Sequence, residues 1–472
     1  MFSSASIGPT DRWLHGWGSF LLTGAFGFGL LLVLLIAWKA AWILPFLPIV
    51  LLGGLAAWLL FQRPLLNLTV VLCSFVLIAD FEEGIQATEA LYGMYYLGFL
   101  AHWFFKRLFM EKVNVFERTE ERALIIFLVL VSLSFPLTIL FGGTIKMLIG
   151  EWLSLSLLAF YFPIKDAIIR YPNGLRRMVG VVAFVGLFVL ARNVISYQDI
   201  LSNASYAWEV AKGRAVTNEG LLMVPAFFML PLYLFAGDKK RRLLFAGMFI
   251  AFFAGLILTQ SRGYWVAFLF GTGLMFLLVP PKVKSRLVFT GLISGGVVLG
   301  AGMLFFGDLV ILILSGLLDR FLSIGSAASN DISLVNRFLE TSAVWDHIKL
   351  NPILGHGMGV PYRFYDITYE FSHSKPFIHN GYIAMWYKFG IWGTGLIFTF
   401  IGGCLIRAYR VVRTAKISSL QFAVGLSVLS AFTAFSLSSI TSNPFYINDT
   451  MFIFALMTGI AGGSFSLKRQ AD

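Results

Sequence analysis

The sequence predicts an all-α polytopic membrane protein of about 14 transmembrane helices (roughly 12 to 14), with one large extracytoplasmic loop containing an interfacial helix. Three observations carry that reading. Hydrophobic residues make up 58% of the 472 residues, charged ones 13%, and the mean hydropathy is +0.82. A soluble domain carries about a quarter charged residues. Apolar stretches of about 20 residues, each long enough to cross a bilayer, recur from end to end. The basic residues fall in short clusters between those stretches, which is the positive-inside pattern. The formal net charge of +12 therefore speaks for a membrane and not for nucleic acid.

The spans are helices because lipid supplies no partner for an open backbone, and these stretches are too long and continuous for barrel strands. Their centres are expected near residues 27, 50, 74, 95, 132, 154, 186, 228, 251, 271, 297, 393, 427 and 457. The first stretch, Gly18 to Trp38, exceeds a signal h-region and reads as a retained helix. Cys73 and Cys404 both lie inside apolar stretches, which is a packed-thiol pattern and not a disulfide or zinc pattern.

Basic clusters lie at Lys106 to Arg122, Lys165 to Arg177, Lys239 to Arg242, Lys282 to Arg286, Arg407 to Lys416 and Lys468 to Arg469; with Arg12 and Arg63 they hold 24 of the 36 Lys and Arg residues. With 14 spans and a cytoplasmic N-terminus every cluster faces the cytoplasm, and both termini do so. That leaves Gly307 to Asn380 outside, with a smaller outer segment from Ser196 to Asn218. The expected division is residues 1–250, N-terminal transmembrane helices; 251–306, helices bearing a Ser-Arg-Gly junction; 307–380, the extracytoplasmic loop and proposed catalytic segment; and 381–472, C-terminal transmembrane helices. Within the loop, Leu334 to Leu350 reads as an interfacial helix. It is stopped by Asn351-Pro352 and followed by the glycine run Gly355-His356-Gly357-Met358-Gly359.

Three polar groups fall at one depth on the outer side. Arg262 sits at a tight junction, Thr259-Gln260-Ser261-Arg262-Gly263; Arg337 opens the interfacial helix; His379 ends the loop where the next span begins. Taken singly each has a bland reading: an arginine at a helix end snorkels to the headgroups, a loop arginine pairs with a carboxylate or lipid, and a lone histidine is structural. The surrounding pattern alters the balance. His379-Asn380, nine residues and Gly390-Ile391-Trp392-Gly393 fit His-[Asn/Ser/Gln]-x9-Gly-x-x-Gly. That pattern resembles the O-antigen ligase family, part of a superfamily with Wzy-type polysaccharide polymerases and bacterial O-oligosaccharyltransferases. Ser261-Arg262-Gly263, and Arg337 followed by Trp345, Asn351-Pro352-Ile353-Leu354-Gly355 and Gly357-x-Gly359, resemble the same superfamily, over residues 250 to 405.

The resemblance implies a GT-C-like fold in the bacterial inner membrane, an undecaprenyl-diphosphate-linked glycan donor and inversion at the anomeric carbon. It implies His379 as base on the acceptor, Arg262 and Arg337 as contacts to the donor diphosphate, and no cofactor or metal. The residue types suit these tasks. Guanidinium is always charged and grips phosphate oxygens in bidentate fashion, and fixed cations favour a leaving group whose charge grows in the transition state. A sugar hydroxyl needs its proton removed, which histidine does near neutral pH.

Other groups rank lower. Arg192, near the outer end of its span, and Lys388, nine residues past His379, are intramembrane charges that either line the cavity or serve structure. Asn380 either orients substrate or caps a helix. His356 and its glycines either form an amide nest for phosphate or a turn. Gly390 and Gly393 read as close helix contacts, and His347 and His373 carry no role. Asp80-Phe81-Glu82-Glu83 could hold Mg²⁺ or Mn²⁺ against a diphosphate, but reads as a solvated acidic loop. The acceptor divides the functions. A polymerase adds to another lipid-linked glycan, with a chain-length regulator as a further partner, and is favoured by the span count. A ligase adds to lipid A core, and a third class adds to protein. A lipid-linked glycan transporter would instead need polar groups through both leaflets.

Overall fold

The structure is a computed structural model and describes residues 53–55, 58–78, 87–203, 218–259, 261–306, 332–367, 369–417 and 419–471. The chain divides into two compact units, Met1–Asn67 and Leu68–Asp472, and the second carries every helix from residue 87 onward. The expected spans near residues 27 and 50, the acidic group Asp80 to Glu83 and residues 307–331 of the large loop lie outside the described residues.

In chain order the helices are α1 (Pro64–Ile78), α2 (Ala87–Phe105), α3 (Thr119–Leu133), α4 (Phe135–Leu140), α5 (Ile145–Ser156), α6 (Tyr161–Arg170), α7 (Gly174–Asn203), α8 (Glu219–Phe235), α9 (Lys239–Leu258), α10 (Arg262–Leu278), α11 (Pro281–Phe306), α12 (Ile332–Leu350), α13 (Gly381–Thr414), α14 (Leu420–Ser438) and α15 (Asn448–Ala471). Strands β1 (Tyr362–Asp366) and β2 (Phe371–Lys375) form one antiparallel hairpin between α12 and α13. Among the described residues eight helical stretches are long and apolar enough to cross a membrane, and α1, α8 and α10 are shorter apolar helices. Every expected centre from residue 74 onward falls inside a helix. The hairpin departs from the all-α expectation: its strands are five residues each, and Ser and Lys on β2 blunt the apolar alternation that would have marked it.

The helices pack closely where glycine replaces a side chain. A Cβ on Gly271 of α10 would lie 2.5 Å from the Ser430 carbonyl of α14 and from the Phe227 ring of α8. On α15, Gly459, Gly462 and Gly463 face Ile164, Tyr161 and Ile168 of α6 in the same way. Small residues let backbones approach where apolar burial alone gives no preference for protein over lipid. α15 is accordingly central, with 89% of its membrane-length window buried, whereas α11 is peripheral at 17%.

α13 is the longest element. It begins beside His379 and takes in Arg407, Arg410 and Arg413 of the basic cluster expected to be a loop at Arg407 to Lys416. From Gly381 to Arg407 it covers roughly 40 Å at 1.5 Å per residue. At that far end Arg407 is buried and ion-paired with Glu120 and Glu121 of α3. Lys165 reaches Glu121 at 2.6 Å and Arg107 reaches Asp166 at 2.7 Å. Several of the clustered cations are thus held inside the helix ends by carboxylates, which keeps buried charge compensated.

Candidate active site

A small core joins α12, the hairpin and the first turns of α13. Val344 and Ile348 of α12, Tyr362 and Phe364 of β1, Ile378, and Ala384 and Tyr387 of α13 pack together. The buried positions of α12 follow the helical stagger: Glu340, Val344 and Ile348 face inward while Phe338 and Trp345 are exposed. Side chains three and four apart lie on one face, so Arg337 falls one turn from Glu340 on the edge of that face.

His379 is fixed from several directions. Asn380 caps α13, its Oδ1 accepting from the backbone of Tyr382 at 3.1 Å and of Ile383 at 3.2 Å. The Asn443 amide donates to the Ile378 carbonyl at 2.8 Å, and the Gly381 N–H donates to the Ser439 carbonyl at 2.8 Å. The His379 N–H donates to Glu340 Oε1 at 2.6 Å, and its ring Nδ1 lies 2.7 Å from Glu340 Oε2. A carboxylate accepts only, so in the neutral ring this contact assigns the proton to Nδ1 and leaves the Nε2 lone pair for an incoming proton. Glu340 is 2% exposed at its side chain and His379 31%. Burial would raise the Glu340 carboxyl, but the hydrogen bonds from His379 and the positive Lys375, 3.1 Å away, outweigh it and hold the carboxyl below its ordinary value.

Arg337 donates to the Thr441 carbonyl at 2.7 Å. Arg262 opens α10, whose start is tied back by Trp265 Nε1 donating to the Leu256 carbonyl at 3.0 Å. A Cβ on neighbouring Gly263 would lie 3.5 Å from Thr441 Oγ1. The turn from Ser439 to Asn443, between α14 and α15, therefore touches the flanks of His379, the Arg337 guanidinium and the start of α10. The structure gathers the three motifs around one turn. Neither that turn nor Glu340 stands out in the sequence. The available signals are the polar run Thr441-Ser442-Asn443-Pro444 between two apolar spans, and a carboxylate three residues after Arg337.

The remaining candidates have partners. Arg192 donates to Asn218 Oδ1 at 3.1 Å, and the Asn218 amide bonds Asp449 at the start of α15. Lys388 is buried against Glu151 of α5 at 2.5 Å, with its ammonium 4.7 Å from the Tyr446 ring centre. His356 is buried and stacked on Tyr387 with ring centroids 4.6 Å apart; burial lowers its pKa, with an opposing bond to the Tyr387 carbonyl.

The glycines have a common explanation. At Gly390, with φ +61°, α13 breaks. The break is bridged by the segment after α12: His356 N–H donates to the Tyr387 carbonyl at 2.8 Å, Gly357 N–H to the Lys388 carbonyl at 2.9 Å, and Ile391 N–H to the Pro352 carbonyl at 3.0 Å. Backbone groups at membrane depth need such partners. A Cβ on Gly390 would sit 2.0 Å from the Ile353 carbonyl, and one on Gly355 2.5 Å from Gly390 N. The x9 spacing is thus the length of helix between His379 and the break.

Residues 246–398 match the family model described as O-Antigen ligase. These residues form an O-antigen ligase domain. It runs from within α9 to the middle of α13 and contains Arg262, Arg337, Glu340, His356, His379, Asn380 and Lys388, while Arg192 and the Ser439–Asn443 turn lie outside it. The domain indicates the superfamily of O-antigen ligase- and polymerase-type membrane glycosyltransferases, and with the apolar helices it points to a multi-pass protein of the bacterial inner membrane. No curated protein matches the chain.

Proposed function

We propose that the chain is an inverting glycosyltransferase that moves a glycan from an undecaprenyl-diphosphate-linked donor to an acceptor hydroxyl on the extracytoplasmic face. The observation that carries this reading is the buried Glu340 behind His379 Nδ1, one helical turn from Arg337. His379 Nε2 takes the proton of the acceptor hydroxyl as its oxygen attacks the anomeric carbon. The bond from that carbon to the diphosphate breaks on the opposite face, the diphosphate keeps the electron pair, and the configuration inverts. Glu340 stabilises the imidazolium that forms. Arg262 and Arg337 bind the diphosphate and offset its growing charge. Asn380, His356, Lys388 and Arg192 act at one remove: Asn380 caps the helix that carries the base, His356 and Lys388 support the break at Gly390, and Arg192 braces the start of α15.

The acceptor we favour is a second lipid-linked glycan, which makes the chain a polysaccharide polymerase; the ligase reading has lipid A core instead. Purified protein in nanodiscs, given undecaprenyl-diphosphate oligosaccharide with or without rough lipopolysaccharide, separates them. A ladder of lengthened glycan from donor alone is expected. A single addition to the lipopolysaccharide identifies a ligase, and release of undecaprenyl diphosphate under neither condition overturns the transferase reading.

A further inference from the structure

The β-hairpin carries aromatic rings beyond what its core needs. Residues directly opposite in an antiparallel pair share a face, so the register Tyr362↔Lys375, Phe364↔His373 and Asp366↔Phe371 puts these six on one face. Tyr362 and Phe364 belong to the core, but Phe371 is 53% exposed and Tyr369, in the turn, 67%. The rings are continuous: Tyr369 to Phe371 is 6.0 Å between centroids, Phe371 to His373 5.4 Å, and His373 to Phe364 4.8 Å. At the other end Lys375 lies over the Phe364 ring at 4.5 Å and bonds Glu340, which holds His379. From Phe371 to Lys375 this row is about 13 Å long at 3.3 Å per residue, enough for more than one sugar unit.

We propose that this row, from Tyr369 and Phe371 to Lys375, is a saccharide subsite that holds the acceptor glycan and delivers its hydroxyl to His379. A sugar ring has an apolar C–H face and a hydroxyl rim. Flat aromatic rings bury the first, and the polar tips of Tyr369, His373 and Lys375 can bond the second. The row abuts the base through Lys375 and Glu340, and the base is the group that must meet the acceptor. This assignment rests on the transferase reading above. Exposed aromatic rings also anchor in membrane interfaces, and the test separates the two.

Leucine keeps the apolar bulk that a bilayer contact needs and removes the flat ring that a sugar needs. For the double variant Tyr369→Leu/Phe371→Leu, assayed in nanodiscs at fixed undecaprenyl-diphosphate oligosaccharide with free oligosaccharide of the same repeat as the varied acceptor, the acceptor KM should rise about tenfold, with kcat and donor KM nearly unchanged. Tyr369→Trp/Phe371→Trp should keep the wild-type KM. A leucine pair that behaves as wild type, whether or not Tyr369→Ser/Phe371→Ser fails, assigns the rings to the membrane and overturns the proposal. Saturation-transfer NMR gives a readout independent of turnover, with oligosaccharide freed from the donor by mild acid as the probe. Saturation of the sugar by wild type and not by the leucine pair is expected; equal transfer, or none from wild type, overturns the subsite. A protein that binds the sugar through these rings yet transfers nothing refutes the transferase reading and leaves a saccharide subsite standing.

Discussion

Glu340→Gln is the most informative substitution at the site. Glutamine keeps the shape and can still accept the His379 backbone N–H through its oxygen, so the fold should survive. Its amide then meets Nδ1 where Glu340 Oε2 now lies at 2.7 Å. An amide donates, so Nδ1 must accept and the proton moves to Nε2, the atom that should take the acceptor proton. The charge-assisted bond to the developing imidazolium is also lost, worth up to about 3 kcal/mol. At 1.36 kcal/mol per tenfold this alone slows the chemical step about 100-fold, and the wrong tautomer extends the loss towards about 10⁴-fold. Donor KM should stay within about threefold, because Arg262 and Arg337 are untouched. The assay is single-turnover transfer from radiolabelled undecaprenyl-diphosphate glycan by purified protein, with donor binding measured in parallel. A folded Glu340→Gln protein within about fivefold of wild type would refute the assignment of Nε2 as the base. The pH response provides a second check. The folded Glu340 carboxyl lies below its ordinary value, so its contribution to stability is present above the ordinary carboxylate range, about 4.3, and is lost as pH falls through the lower folded value. The gap in thermal midpoint between wild type and Glu340→Gln should close as pH falls below about 4.

The same geometry sets three further outcomes. Arg262→Lys should lower kcat/KM for the donor by about tenfold to 100-fold, since an ammonium keeps the charge but not the fork; an unimpaired variant in the same assay removes Arg262 from the diphosphate. Lys388→Met should cost about 3 kcal/mol by leaving Glu151 buried and uncompensated, and Lys388→Met/Glu151→Leu should recover most of it in thermal denaturation with transfer per folded molecule retained; a stable, inactive double variant would give Lys388 a direct role in transfer. EDTA should change the rate by no more than about threefold, because two arginines supply the charge a metal would supply; loss restored by Mn²⁺ or Mg²⁺ and mimicked by Asp80→Ala would move the chemistry to a metal site.

The helices are legible in the sequence because lipid imposes a length and a composition, and the expected centres within the described residues fall inside them. The order and depth of Arg262, Arg337 and His379 come from the same count. Their closeness does not, since it depends on the Ser439–Asn443 turn, which lies some sixty residues from His379 in sequence and holds its flanks by the Asn443 side-chain amide on the Ile378 carbonyl and the Gly381 N–H on the Ser439 carbonyl, pairings that linear spacing does not encode. Glu340 is hidden for another reason: on a helix that also carries Asp346 and Lys349, one more charge reads as a solvated face. The glycines are expected from sequence to serve close helix contacts. At Gly390 the contact is with the non-helical segment around Ile353 and the helix is broken there, an arrangement that spacing alone does not distinguish from a continuous helix.

If His379 acts on the acceptor while the arginines hold the donor, His379→Ala separates the two roles in a single turnover. With the protein saturated with labelled undecaprenyl-diphosphate glycan, donor binding should stay close to wild type and the rate of glycan transfer should fall by at least about 10³-fold. Transfer at near wild-type rate, or loss of donor binding with the chemical step intact, would contradict that division of roles.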